Sequence, residues 1–358
     1  MPSDLVLPPA TYRTVADAQA MLARLDVTAD RLGMRAELVR STRVRDAHRS
    51  AHLAGINVHL HEALVAHLVT SQKPETIDQS ATARLMNPYL RAYEHGLARV
   101  DADDPVDGEL IGQMSAIMTG SPERTLPEVL RQGHGWLGRS PRQAYLLTAM
   151  GAHLVGLVQQ WSTWVREEHD QPRIAKMAIA HYHLEVLQPF PAANGHVARA
   201  FSTLEMVRSG LLRDQILPLS PWLDDNLEEY QRQIRAVVDT GEIHHWVDFF
   251  ATAVHDQAEA QLRLITQLHC LAERLAPTSA ATGILPDVIA RLVAFPVINN
   301  PELCLRYGVT PEHAAKVTRA LVEVGVLQPW EGLTYRRVFQ CVPALNLFSL
   351  NADSTADA

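Results

Sequence analysis

The sequence predicts an all-α protein that ends in a small winged helix-turn-helix unit. Three observations carry that expectation. Apolar residues recur at helical spacing in one segment after another from Val15 to Leu275. Strand-like alternation is almost absent before residue 325, apart from one short hairpin expected near residues 133–147. A stretch rich in Pro, Ser, Thr and Gly at residues 276–284 then separates the long helices from a compact C-terminal pattern.

Residues 1–12 hold three prolines and little periodicity, which predicts an arm. Ala18, Leu22, Leu25, Ala29 and Leu32 then share one helical face, and Gly33 stops that helix. Further helices are expected over residues 35–52, 58–68, 88–100 and 108–118, with a polar loop at 71–82 and a stop at Gly120 and Pro122. Residues 120–143, rich in Gly, Pro and Arg, read as irregular and exposed. The helix expected at 149–166 places Trp161 and Trp164 on one face. The next, at 174–186, is apolar on most sides and must end before Pro189, because a residue preceding proline avoids helical geometry. Gly195 opens a helix to Ser209, and helices at 226–238 and 242–275 complete the body. Beyond the break, helices at 285–294, 301–307 and 311–324, with Gly308 at the tight turn, make a helix-turn-helix. Residues 326–341, turning at Gly332, make its wing, and residues 351–358 read as a disordered tail.

A length of 358 residues suggests two or three domains, and 47% hydrophobic against 20% charged residues supports a sizeable core. The formal net charge of -8 excludes a chain-wide nucleic-acid coat while allowing a local basic face. Lys73, Lys176 and Lys316 are the only lysines, a bias read as genomic composition. Cys270, Cys304 and Cys341 are odd in number and fit neither a zinc site nor a disulfide framework, which points to a reducing compartment. Neither a basic-then-apolar start nor a membrane-length apolar run is present, so a cytoplasmic protein without a membrane partner is expected. Of the 17 histidines only His48 and His52 stand at H-x-x-x-H spacing, without a glutamate between them, so no metal site is expected. His181 is expected to be a hydrogen-bonded core residue.

The segment Gln188-Pro189-Phe190-Pro191-Ala192-Ala193-Asn194-Gly195-His196-Val197-Ala198-Arg199 joins two apolar helices. A loop that enters a helix through Asn and Gly suits an anion. Unpaired N–H groups and the helix dipole point at it, and glycine permits close approach. Arg199, one turn inside, can clamp a phosphate oxygen. Taken alone, the same residues also suit an ordinary helix-entry turn.

The segment resembles the Fic signature H-P-F-x-[D/E]-G-N-G-R-x-x-R, keeping Pro189, Phe190, Asn194, Gly195 and Arg199 at the same spacing. Ala180 to Glu185 resembles that family's run-up helix, and Arg131, Trp136 and Gly138 its R-x-x-x-x-W-x-G segment. Ala144-Tyr145-Leu146-Leu147 stands where the family has a flap hairpin that positions the target, and Tyr230 with Gly241 to Phe250 resembles the closing helices. The resemblance runs from about residue 35 to 345. It implies a Fido-fold helical body with a short β-hairpin flap at 111–275, after an N-terminal helical extension at 1–110. A linker at 276–284, a winged helix at 285–350 and a tail at 351–358 follow.

The family's chemistry is not kept. Its motif histidine takes a proton from a target hydroxyl, which attacks the α-phosphate of ATP. Gln188 stands there, and an amide takes up no proton near neutral pH. The acidic residue that holds Mg²⁺ is Ala192, and a methyl group cannot ligate a hard cation. The glycine of the anion nest is Ala193, and the first arginine is His196, which restores charge only if protonated. Loss of the base alone forfeits about 10²–10⁴-fold in rate. The inhibitory pattern [S/T]-x-x-x-E-[G/N] fits Ser50 to Gly55 with Ala54 in place of its glutamate; a second frame at Ser41 ends in Arg45 and Asp46.

Standard AMPylation is therefore not expected, and three functions stay open. In the first, a degenerate, pseudoenzyme-like pocket binds a nucleotide or other small anionic ligand through Pro189, Phe190, Asn194, Gly195, Arg199 and Tyr145, and the winged helix reads out occupancy. In the second, Glu185, His196 or His181 supports a different reaction beside Gln188. In the third, residual nucleotidyl transfer to a protein hydroxyl persists. The sequence names no cofactor. Thr310, Glu312, His313, Lys316, Arg319, Arg336 and Arg337 would face a DNA or protein partner, and the module's nearly balanced charge suits either. Homodimerisation through the helical body is an expectation from the resemblance alone.

Overall fold

The computed structural model describes residues 5–31, 33–72, 80–138, 140–276, 283–330 and 337–353. Leu32, Lys73, Gly332, Arg336, most of the 276–284 linker and residues 354–358 lie outside them. The described residues form an all-α body with one small hairpin, followed by a C-terminal module of helices and a short sheet.

The N-terminal helices are α1 (Pro9–Arg31), α2 (Arg35–Leu53), α3 (Leu60–Gln72), α4 (Ala81–Asp101) and α5 (Gly108–Met118). Helix α1 starts at Pro9, earlier than the expected Val15. A first-turn residue has no intrahelical acceptor for its N–H, so proline loses nothing there. Helix α4 also starts early and carries Pro88 inside it. Ser80, within the stretch expected to be a loop, caps it by accepting the Ala83 N–H at 3.1 Å. Asp107 caps α5 in the same way, accepting from Glu109 and Leu110.

The hairpin follows, β1 (Trp136–Gly138) against β2 (Ala144–Leu147), antiparallel, within the expected span. Then come α6 (Gly151–Arg166), α7 (Arg173–Leu187), α8 (Asn194–Arg208), α9 (Ser220–Asp225), α10 (Leu227–Thr240) and α11 (Ile243–Leu275). Helix α7 is enclosed, as its apolar sequence requires. The indole N–H groups of Trp161 on α6 and Trp246 on α11 donate to its Ala180 and Ala178 carbonyls at 3.0 and 2.7 Å. Those two tryptophans, with Phe190, Phe201 and Phe250, are among the largest fully buried side chains. Fully burying such side chains stabilises a fold by about 1.5–3 kcal/mol each. The stripe Val15, Ala18, Leu22, Leu25 and Ala29 of α1 is equally buried, along α11.

The C-terminal module comprises α12 (Leu285–Leu292), β3 (Val297–Asn299), α13 (Asn300–Tyr307), α14 (Pro311–Glu323), β4 (Gln328–Pro329), β5 (Val338–Gln340) and α15 (Val342–Asp353). Its antiparallel sheet has the order β3-β5-β4. Helix α15 was not expected. Phe348 on it is fully buried, with the Arg45 guanidinium 5.1 Å over its ring. The module's core, including Ile289, Leu303, Leu321 and Phe339, merges with Leu264, Leu268 and Leu271 from the end of α11.

The module also docks on α2 through polar contacts. Arg40 on α2 donates to Glu302 on α13 at 2.7 Å and stacks 4.1 Å over the Phe295 ring. Arg306 on α13 bonds both Glu302 and Glu37 on α2. Gln72 on α3 donates to Asn299 at 2.8 Å.

Candidate functional site

Helix α7 ends at Gln188, which takes the left-handed conformation (φ 43°, ψ 58°) and donates its N–H to Leu184 O at 3.1 Å. The chain turns through Pro189 to Ala193, a second left-handed residue (φ 62°, ψ 19°), and α8 begins at Asn194. The Asn194 side chain closes this loop on itself. Its Oδ1 accepts the Phe190 N–H and its Nδ2 donates to Phe190 O, both at 2.8 Å. Phe190 anchors the loop in the core. No side chain caps α8, so the first-turn N–H groups of Asn194, Gly195 and His196 have no intrahelical acceptor.

An alanine at φ 62° is strained where a glycine would not be. Ala193→Gly is therefore expected to stabilise the protein by about 1 kcal/mol, a gain readable as a raised denaturation midpoint with an unchanged slope.

Arg199 lies behind this helix start. Its Nε donates to Ser50 Oγ at 2.9 Å and its Nη2 to Ser50 O at 3.1 Å, while Nη1 sits where a Cβ on Gly195 would come within 2.9 Å. Glycine at 195 thus makes room for the guanidinium. Among the described residues no carboxylate is in ion-pair contact with Arg199. Ala54, four residues after Ser50, lies in the cleft wall. His196 is buried, stacks on Tyr89 with 4.1 Å between ring centroids and places Nδ1 2.7 Å from Ser50 Oγ. Burial, with the charge of Arg199, pushes its pKa down to about 3. The ring is therefore neutral near pH 7, and the condition under which it would restore part of the missing arginine's charge is not met.

Glu185, one turn before Gln188, is also buried. Its Oε1 accepts from Tyr230 at 2.8 Å, and its Oε2 is 3.4 Å from Gln188 Nε2. Burial raises its pKa, against the lowering effects of Arg199 and the Tyr230 hydrogen bond. The chain continues from Tyr230 Oη to His181 Nε2 and from His181 Nδ1 to Ser202 Oγ, each at 2.8 Å. His181 is a hydrogen-bonded core residue as expected, its pKa pushed down to about 3 by burial.

The opposite wall is the hairpin. Arg131 donates to the carbonyl oxygens of Gln188 (2.6 Å), Leu187 (3.0 Å) and Ala149 (2.6 Å), and bonds Gly133 O and Thr148 Oγ1 as well. One side chain thus ties the end of α7 to the flap. Tyr145 on β2 is half-buried, with the exposed Arg235 guanidinium 5.3 Å over its ring. Together these elements enclose a cleft of about 1260 Å³, lined by Gln188, Glu185, His196, Asn194, Gly195, Arg199, Phe190 and Tyr145 among others. Of the residues expected at the site Pro189 and His181 stay out of the lining; the Pro189 carbonyl accepts the Arg131 N–H at 3.1 Å, and His181 lies in the core.

Residues 111–206 match the sequence model of the Fic/DOC family. The chain carries a Fic/DOC domain. Its fold is shared more widely. It superposes on a Fic family protein from Desulfovibrio desulfuricans with a TM-score of 0.60 at 16% identity, over 95% of this chain and 98% of that one. A variant of Fic-1 from C. elegans aligns at 0.51 and 16% identity, covering 72% and 73% of the two chains. A Fic domain containing signaling protein from Bacteroides thetaiotaomicron aligns at 0.51 and 11% identity, covering 71% and 97%.

The Fic motif implies a divalent cation, and this cleft does not fit one. Ala192 presents an exposed methyl group where the ligand should be, and Asn194 is spent on the loop backbone. Of the two carboxylates in the lining, Glu185 is held by Tyr230 and Gln188, and Glu228 is exposed on α10. Elsewhere among the described residues Glu242, His244 and His245 converge at the start of α11, where the positive end of the helix opposes a cation. His48 and His52 take separate partners, Val58 O and Asp224.

Two residues around the site lacked a signal in the sequence. Tyr89 stacks on His196 and Arg235 lies over Tyr145 at the cleft, each from another helix, and only the fold brings them there.

Proposed function

We propose that the Fic cleft binds a nucleotide or related anionic ligand in a regulatory role and does not perform Mg²⁺-dependent AMP transfer. The observation that carries this reading is the pairing of opposites at one site. The anion-binding half persists, as an uncapped α8 N-terminus with Arg199 behind Gly195. The reacting half is gone, with Gln188 and Ala192 in place of base and metal ligand. A route for readout supports the regulatory part. Ser50, which holds Arg199, and Arg40, which holds Glu302 of the C-terminal module, both lie on α2, about 15 Å apart along its axis. That module acts in this reading as a winged helix whose exposed α14 face, His313, Lys316 and Arg319, meets a DNA or protein partner. Calorimetric titration with ATP, with and without Mg²⁺, tests the proposal. Binding in both conditions without label transfer to protein is the expected result; Mg²⁺-dependent adenylylation would sink it.

A second reading rests on the hydrogen-bonded chain from Glu185 through Tyr230 and His181 to Ser202, which can shuttle a proton at the cleft floor. It makes the cleft a repurposed active site with Glu185 as acid or base. On that reading Glu185→Gln lowers turnover of a ligand found by metabolite screening by about 10²–10⁴-fold, with binding retained. Equal turnover in the variant would dismiss it.

A further inference from the structure

The hydrogen bonds around Ser50 fix which nitrogen of His196 carries the proton. Ser50 Oγ accepts the Nε–H of Arg199, a group that only donates. The hydroxyl then has one proton to place, and His196 Nδ1 lies 2.7 Å away. Directed there, the proton satisfies both groups. In the reverse arrangement Nδ1 would donate and the serine proton would lack a partner, with Nε2 unpartnered as before. Nδ1 therefore accepts, and the neutral ring carries its hydrogen on Nε2. That nitrogen is buried, and it is the only imidazole nitrogen buried without a hydrogen-bond partner among the described residues. An unmet buried donor is costly unless something arrives to meet it. His196 lines the cleft at the uncapped start of α8.

The charges of the cleft limit what can arrive. Arg131 spends its N–H groups on carbonyl and hydroxyl oxygens, Arg232 pairs with Glu229, and Arg235 sits exposed at the rim over Tyr145. Arg199 is the charged donor left at the floor, with Glu185 near it, and Ala192 provides no ligand for a metal that would screen further charge. One guanidinium, one neutral imidazole donor and the α8 amides match a mono- or dianion, and not an uncomplexed triphosphate.

We infer that His196 Nε2–H is a ligand-binding donor oriented by Ser50, and that the group it meets is a phosphate monoester bound without a divalent metal. This rests on the anion-binding reading above. It narrows that reading to a ligand class and assigns the serine a positioning role.

Two variants separate the two ring nitrogens. In His196→Gln the amide nitrogen reaches the place of Nε2, and in His196→Asn it reaches only that of Nδ1. Calorimetry with AMP, ATP and ATP plus Mg²⁺ on the whole chain is expected to show AMP binding at least as tightly as ATP, with no gain from Mg²⁺. His196→Asn should weaken AMP binding about tenfold, and His196→Gln should retain most of it. The reverse order, or equal losses, would mean that the ring serves only to hold Ser50 and stack on Tyr89, and overturns the inference. A gain of about tenfold or more for ATP on adding Mg²⁺ overturns it too. If none of the three probes binds the wild-type protein, the anion-binding reading itself fails. The tautomer is checked separately, by ¹⁵N NMR of the imidazole, with the signal assigned from its loss in His196→Gln. A proton on Nε2 is expected, and a proton on Nδ1 refutes the role given to Ser50.

Discussion

Replacing Arg199 by alanine is expected to weaken binding of a nucleotide or phosphate monoester by roughly 30- to 100-fold, about 2–3 kcal/mol for a charge-assisted contact in a partly desolvated cleft. The size follows from what remains. With the guanidinium gone the cleft floor keeps only neutral donors, since Arg131 is engaged with backbone oxygens and His196 stays uncharged. Arg199→Lys is expected to recover little, because an ammonium cannot reproduce the fork that Ser50 holds through Nε and Nη2. Thermal melts of both variants distinguish a lost contact from a lost fold. The same site gives a pH dependence of definite sign. Glu185 faces Arg199, Tyr230, Tyr145, His181 and Gln188, and burial raises its pKa. As pH rises through that value the carboxyl ionises beside Arg199, so affinity for an anion should fall. In Glu185→Gln the rise in affinity on acidification should be gone between about pH 5 and 8, leaving only the weakening that follows protonation of the ligand's own phosphate near pH 6, because His196, with a pKa of about 3, does not titrate there. Affinity that still rises on acidification in this variant would show that the imidazole gains charge after all.

The parts of this site that could be read from the chain were those carried by backbone chemistry. Pro189 after an apolar run ends α7, and Asn194 with Gly195 opens α8, so the loop between them was legible before any contact was known. The alanine that replaces the motif glycine was legible as a problem, and it takes the left-handed conformation that made it one. The Ser50 frame likewise pointed to α2, and the hydroxyl does meet Arg199. What the chain could not disclose was the use made of each group across sequence distance. Glu185 looked better suited to pairing than to chemistry, but its partner, Tyr230, lies 45 residues away and only the fold supplied it. His196 looked able to carry charge because nothing local indicates how deeply Tyr89 and Ser50 enclose it. In the body two misjudged boundaries involve proline. Pro9 was read into an arm and Pro88 as a helix start, whereas the first occupies a first turn and the second is tolerated inside a helix whose cap lies eight residues earlier, at Ser80.

The second large effect concerns Arg131, which the Fic resemblance marked without explaining. The carbonyls of Leu187 and Gln188 lie at the end of α7, where no helical N–H can reach them. The guanidinium supplies those donors, sets positive charge against the negative end of the helix, and with its remaining N–H groups holds Ala149, Gly133 and Thr148 of the flap. Thr148 in turn accepts from the Gly135 N–H at 3.1 Å, so the hairpin's base depends on the same residue. Arg131→Ala leaves several carbonyls without partners in a site that water enters only partly, and is expected to cost about 3–5 kcal/mol. The loss should appear as a lower denaturation midpoint and, locally, as faster amide exchange at residues 136–148 and at the start of the motif loop. Arg131→Lys should fall between the two, because one ammonium has three protons for acceptors spread around a planar fork. A change below about 1 kcal/mol in Arg131→Ala, with unchanged exchange in the flap, would mean that water replaces the guanidinium at no cost and that the hairpin is held by its own strand pairing. Since Gln188 is seated through its carbonyl by this clamp, the same variant should also loosen the cleft, and anion affinity should drop along with flap protection.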